Sequence, residues 1–251
     1  MIHLPVPKSR RKLIELDDDE TLQLLKFDIQ SGNFLCVSYT KPNRSKYSYF
    51  VSTDSKKFGP FDEFQLPSKP SNAPAEFFQY KQGSSWYFKV GDQEYGPFEE
   101  LVLQYAVRDT SQGCVFAYAA RAQAEEHVYF SGQKFGPYRN VFNLAINDAS
   151  DRASWIAVQA KQWFSHDMDQ ILDQGPYDEP YGWNDGTTPP PSKWSHLNQK
   201  ESSIAVEFFD SLTVPASLNQ IQVDKASHEM TLGNQSCRFA IQGKIIFLFE
   251  Y

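Results

Sequence analysis

The sequence predicts an all-β fold: a β-propeller-like ring of about five blades, each with three to four antiparallel strands, closed by strands from the N- and C-terminal ends. Three observations predict it. Gly-Pro pairs begin at Gly59, Gly96, Gly136 and Gly175, at spacings of 37, 40 and 39 residues, and a fixed period of this size marks a repeat array. Short alternating apolar segments recur in step with those pairs, as period-two strands do. Aromatic residues make up 15% of the chain against only three Met, a balance that suits pleated surfaces better than helices.

The first twenty residues, "MIHLPVPKSRRKLIELDDDE", read as a flexible charged tail ahead of a single domain over 21–251. They hold no apolar stretch of secretory length, and no run in the chain approaches the roughly 20 apolar residues that span a bilayer, so a cytoplasmic location and no membrane partner are expected. "LQLLKFDI" at 22–29 follows. Its acidic lead-in "DDDE" offers a helix start, but its place ahead of the first repeat makes it a strand and the N-terminal candidate for ring closure.

Five units follow, at about 22–65, 66–101, 102–140, 141–180 and 192–251. Their alternating strands are "CVSYT" at 36–40, "FFQYK" at 77–81, "VFAYA" at 115–119, "WIAVQ" at 155–159 and "SIAVE" at 203–207. One column holds Val37, Phe78, Phe116, Ile156 and Ile204; another holds Tyr39, Tyr80, Tyr118, Val158 and Val206. Ser38, Gln79, Ala117, Ala157 and Ala205 lie between, and each strand is expected to bury one face. An aromatic pair precedes each Gly-Pro: "YF" at 49–50, 87–88 and 129–130, and "WF" at 163–164. Beyond 211 the motifs lapse, but "IQVD", "HEMTL", "CRFAIQ" and "IIFLFEY" still read as strands.

Stretches such as "QKFGPYRNVFNLAINDASDRASWIAVQAKQWF" at 133–164 resemble bacterial β-propeller repeats of the WD40-like and TolB-like style, clearly from about 31 to 180. The resemblance implies a propeller and, beyond that, a bacterial accessory protein. "DRAS" lacks the Pro-Asp-Gly turn of those repeats, and the fifth unit lacks the Gly-Pro. "WYFKVGDQEYGPFEEL" at 86–101 is also similar to the opening of GYF modules, which implies a reader of proline-rich peptides, but "VLQYAVRD" continues as a strand where such a module has a helix.

The pairs Gly59-Pro60, Gly96-Pro97, Gly136-Pro137 and Gly175-Pro176 read as structural markers. Proline removes a ladder donor and glycine reaches backbone angles closed to other residues, so the pair suits the outermost strand of a blade, where it discourages edge pairing. The ring that follows, Phe61, Phe98, Tyr138 or Tyr177, is expected to pack inward against the neighbouring blade.

Motifs for chemistry are sparse. His3, His127, His166, His196 and His228 are scattered, and Cys36, Cys114 and Cys237 form no CxxC cluster, so no metal, cofactor or disulfide framework is expected. Cys36 and Cys114 read as buried thiols. Carboxylates such as Asp167, Asp169, Glu99 and Glu100 fall on turns and read as solvated. With 24 basic against 31 acidic residues, the net charge of −7 disfavours nucleic acid.

The insertion "GPYDEPYGWNDGTTPPPSKW" at 175–194 carries Tyr177, Tyr181, Trp183 and Trp194 among prolines, a stiff amphipathic surface suited to a protein partner. The function expected is therefore a non-catalytic protein-binding scaffold or accessory subunit. The alternatives are a glycan- or peptide-acting hydrolase with carboxylates at the propeller channel, and a GYF-like peptide reader.

Overall fold

The computed structural model describes residues 1–28, 31–43, 46–67, 73–74, 76–110, 113–160, 162–176, 203–212 and 220–251. All regular structure among them is β, with no helix. Contacts group the chain into two compact units, Met1–Glu63 with Glu201–Tyr251 and Phe64–Lys200, where the sequence suggests one domain.

In the first unit, the expected N-terminal tail instead supplies two strands, β1 (Ile2–Pro5) and β2 (Ser9–Glu15). Ile2 and Leu4 alternate into a core, which gives β1 a buried face. Next comes a sheet of β3 (Thr21–Asp28), β4 (Phe34–Asn43), β5 (Lys46–Thr53) and β6 (Lys57–Phe61), in chain order. "LQLLKFDI" is thus a strand, as its register suggests.

In the second unit the pattern repeats. Its sheets are β7 (Glu63–Gln65), β8 (Phe77–Gln82), β9 (Ser85–Val90) and β10 (Gln93–Phe98); then β11 (Gln104–Thr110), β12 (Gly113–Ala122), β13 (Glu125–Phe130) and β14 (Gln133–Tyr138); then β15 (Asn140–Ile146), β16 (Ala153–Gln159), β17 (Gln162–Asp167) and β18 (Gln170–Pro176). Each is four-stranded, with neighbours in chain order.

The remaining strands belong to the first unit and depart from the expected fifth repeat. β19 (Ser203–Ala205) joins the outer side of β3 and does not found a sheet of its own. β20 (Gln220–Val223) pairs with β1. β21 (Lys225–Ala226), β22 (Met230–Leu232), β23 (Gln235–Gln242) and β24 (Ile245–Glu250) form the last sheet, completed by β2 against β24. The column is therefore four members long in structure, because Ala205 pairs with Lys26 and lacks an aromatic opposite.

For the other four members the sequence columns are register partners. Ser38, Gln79, Ala117 and Ala157 face Phe50, Phe88, Phe130 and Phe164 across the ladder. Beside them, Tyr39, Tyr80, Tyr118 and Val158 face Tyr49, Tyr87, Tyr129 and Trp163. In three of the four sheets a small residue stands opposite the phenylalanine ring, and in the other Gln79 takes that place. The expected single buried face does not hold. Phe34–Ser38, Phe77–Tyr80 and Ala153–Val158 are buried at every position. In the second unit the reason is visible: successive sheets stack, so cores such as Val128, Phe130, Tyr138, Val141 and Trp155 draw on two sheets at once.

The Gly-Pro pairs occupy the outermost strands β6, β10 and β14, as expected. Phe58 faces Val51 and Phe61 faces Tyr49, so three steps on β6 answer two on β5. The same extra residue appears from Tyr95 to Phe98 and from Phe135 to Tyr138. This is a β-bulge, which takes up one residue and bends the edge. Gly59, Gly96 and Gly136 hold φ of 115°, 134° and 117°, and the three peptide bonds to Pro60, Pro97 and Pro137 are cis. The following rings Phe61, Phe98 and Tyr138 are buried. Phe98 meets Tyr118 at 5.3 Å and Tyr138 meets His166 at 5.3 Å, each on the next sheet.

The fourth phrase is not a copy. Gly175 and Pro176 pair in register with Trp163 and Gln162, and the bulge of β18 lies earlier, between Ile171 and Asp173. Asp167, expected to be solvated, is buried and accepts a 2.7 Å hydrogen bond from Arg152 Nε. Its place at the end of β17 sets it beneath the Arg152 guanidinium.

His166 stacks on Trp155 at 5.2 Å with ring planes 9° apart. Burial pushes its pKa below the ordinary 6.5. The unfolded chain then binds the extra proton, so stability is full above about pH 6.5 and falls as pH drops through it. His166→Phe keeps the stack but cannot titrate. Its urea midpoint is expected to decline less than that of the parent between pH 7.5 and pH 5, as followed by tryptophan fluorescence.

Candidate functional site

The repeat geometry leaves a cleft between the first and second sheets of the Phe64–Lys200 unit, with a volume of about 380 Å³. That lies within the range of roughly 300–1,000 Å³ usual for ligand pockets. Strand β10 supplies Gln93 and Tyr95, four and two steps before the bulge proline, and β12 supplies Cys114, Val115, Phe116 and Tyr118. The turn after β13 supplies Ser131 and Gly132, both with positive φ. Phe116 and Phe130 form a buried floor; Tyr95, Cys114, Val115, Tyr118 and Tyr129 form half-buried walls; Gln93, Ser131 and Gly132 are the exposed rim.

The rings are ordered. Tyr118 stacks on Tyr129 with centroids 4.9 Å apart and planes 14° apart, and on Phe116 at 5.3 Å and 26°. Tyr95 stands across this stack, at 62° to Tyr118 and 47° to Phe116. Its hydroxyl donates to Gln93 Oε1 at the rim. Lys134 Nζ lies 5.9 Å from the centre of the Tyr129 ring.

Burial pushes the Tyr118 hydroxyl up to about 12, with Tyr129 and Tyr95 adding to the effect. Burial raises Tyr95 as well, with Cys114 contributing. Both phenols are therefore neutral over the physiological range, and the lining side chains carry no formal charge. Such a wall combines apolar faces with hydroxyl and amide edges, which suits recognition better than proton transfer.

Of the residues singled out from sequence, Gly59, Pro60, Gly96, Pro97, Gly136 and Pro137 lie at sheet edges, and the bulge at Gly96-Pro97 aims Tyr95 at the cleft. Tyr177, Tyr181, Trp183 and Trp194 lie outside the described residues. Cys36 and Cys237 are buried, and burial pushes the Cys36 thiol up to about 12, with Glu20 adding to it. Cys114 departs from expectation because it is half-buried at the cleft wall. Among the described residues no group of His, Cys, Asp or Glu could hold a metal ion.

Sequence reading missed the cleft because its two walls come from different repeats. Tyr118 and Tyr129 belong to the ladder columns and read as structural. The available signal was the coincidence of Tyr95 before a Gly-Pro with a tyrosine pair in the next unit, where Phe58, Phe135 and Gln174 take the corresponding places elsewhere. Neither a protein-family model nor a curated protein matches the chain.

Proposed function

We propose that the chain is a non-catalytic protein-binding scaffold, or an accessory subunit of a larger assembly, built as a propeller of about five blades, and that it holds its partner at the tyrosine cleft. The cleft supports this reading: half-buried tyrosines on rigid strands present large contact area at small entropic cost, the composition typical of binding hot spots. Each tyrosine has its strand pairing fixed by the repeat, so the surface is preorganised before a partner arrives.

The test is affinity capture with the parent chain and with Tyr95→Leu/Tyr129→Leu. Both rings are partly buried and leucine keeps their apolar contact, so the double variant is expected to stay folded while losing the partner, with affinity falling at least tenfold. A partner held equally by both proteins would overturn the cleft as the contact. Loss in Trp183→Ala/Trp194→Ala instead would move the contact to the insertion.

A further inference from the structure

We propose that the cleft takes an aromatic side chain of the partner, laid face-down on the ring edge of Tyr129, an inference that rests on the protein-binding reading above.

Ring coverage decides what the cleft can offer. Tyr118 is stacked by Tyr129 at 4.9 Å and by Phe116 at 5.3 Å, so both its faces are taken and only its edge is left to other neighbours. Tyr95 and Phe98 meet it at 62° and 64°, and therefore lay their own faces on that edge. Tyr129 is covered in the same way, by Tyr118 on one face and by Lys134 Nζ, 5.9 Å from its centre, on the other. Its edge differs. Half-buried at the cleft wall, Tyr129 meets no tilted ring among the described residues, so the edge that Tyr95 and Phe98 cover on Tyr118 stays open on its neighbour.

Charge distribution names the occupant. A ring edge carries the positive part of the quadrupole and a ring face the negative part, so an open edge is complementary to the face of another ring. Lys134 opposes a second cation at this wall, and the net charge of −7 opposes an anion. A neutral ring meets neither objection.

The surroundings fit a side chain carried on a peptide. The volume of about 380 Å³ has room for a phenyl or indole group above the apolar floor of Phe116 and Phe130. At the rim, Gln93 Oε1 already accepts from the Tyr95 hydroxyl, which leaves the Gln93 amide N–H groups to a backbone carbonyl of the incoming segment.

The test titrates the intact chain with the Nα-acetyl amides of tryptophan, phenylalanine, cyclohexylalanine and pentafluorophenylalanine, read from the Ser131 and Gly132 amide shifts in nitrogen–proton correlation spectra. Apolar burial alone ranks the cyclohexyl and pentafluorophenyl groups at least level with phenyl. The open edge reverses that order, because cyclohexyl has no quadrupole and fluorination inverts it. Phenylalanine is expected to bind about fivefold more tightly than either, the scale of an edge-to-face pair, and tryptophan at least as tightly as phenylalanine. Tyr129→Phe keeps the edge and is expected to keep this preference. Tyr129→Leu removes the edge and is expected to bind phenylalanine and cyclohexylalanine alike. Each readout is a ratio of two ligands on one protein, so a change in the fraction folded cancels.

Binding of cyclohexylalanine or pentafluorophenylalanine as tightly as phenylalanine would overturn the proposal, and so would a preference that survives in Tyr129→Leu. If no ring binds yet partner capture still depends on Tyr95 and Tyr129, this inference falls while the scaffold reading stands. A phenylalanine preference without any captured partner would overturn the scaffold reading and leave a site for a small aromatic molecule.

Discussion

Gly96→Ala is expected to lower the unfolding free energy by about 2–4 kcal/mol, adding backbone strain to a steric clash. Gly96 sits at φ 134°, where side chains other than hydrogen are rarely accommodated. A Cβ there would lie 2.9 Å from the Trp86 carbonyl oxygen and 2.9 Å from Tyr87 Cδ1. The Tyr87 ring can turn aside, but the Trp86 oxygen is backbone in the adjoining strand and cannot. Gly83 provides the comparison: it has φ 63° with nothing within 4 Å, so Gly83→Ala meets only the left-handed backbone cost of about 1–2 kcal/mol. Urea denaturation of both variants at 25 °C measures the difference. If Gly96→Ala costs no more than Gly83→Ala, the bulge does not explain why the phrase recurs.

Gln79→Ala is expected to cost about 2–4 kcal/mol, because it leaves two buried backbone groups unpaired. The Gln79 amide acts as a peptide partner for Val102: Nε2 donates to the Val102 carbonyl at 2.9 Å, and Oε1 accepts from the Val102 N–H at 2.9 Å. Both residues are buried, so water is poorly placed to take over these bonds. The strand itself tolerates alanine at this place, since Ala117 and Ala157 hold the same register against Phe130 and Phe164. The loss therefore isolates the tether between the centre of the second sheet and the segment entering the third. Gln79→Glu is expected to be worse, as it removes the donor and adds a buried charge. Denaturation by urea again gives the number, and a cost under about 1 kcal/mol for Gln79→Ala would show that the tether is replaceable.

Much of this fold was legible from residue types at fixed intervals. A Phe at one place in the ladder, four times over, sets strand register because the side-chain period is two. The Gly-Pro pairs were legible as edge features because their backbone needs are intrinsic to the residues. The failures have physical causes. The fourth Gly-Pro matches the others in sequence yet pairs without a bulge, because β18 absorbs its extra residue at Ile171 to Asp173. "SIAVE" has the pattern of a central strand, but β19 pairs at the edge of the first sheet, a choice set by which partner is available and not by local preference. Residues 9–15 looked like a solvated tail because Arg10, Arg11 and Lys12 are charged, yet their backbone completes a ladder with β24 while the charges stay exposed. The cleft was least legible, since its walls at Tyr95 and Tyr118 meet only when two sheets stack.

The central claim is that recurrence records architecture while recognition resides where two repeats meet at the cleft. Site-specific photocrosslinking tests it most directly, with p-benzoylphenylalanine introduced in place of Tyr95, of Tyr129 and, as a control on a sheet edge, of Leu172. Crosslinks from positions 95 and 129 are expected to capture one and the same protein, at the same chain segment, while position 172 captures none. Capture from position 172 alone, or different proteins from positions 95 and 129, would contradict the claim.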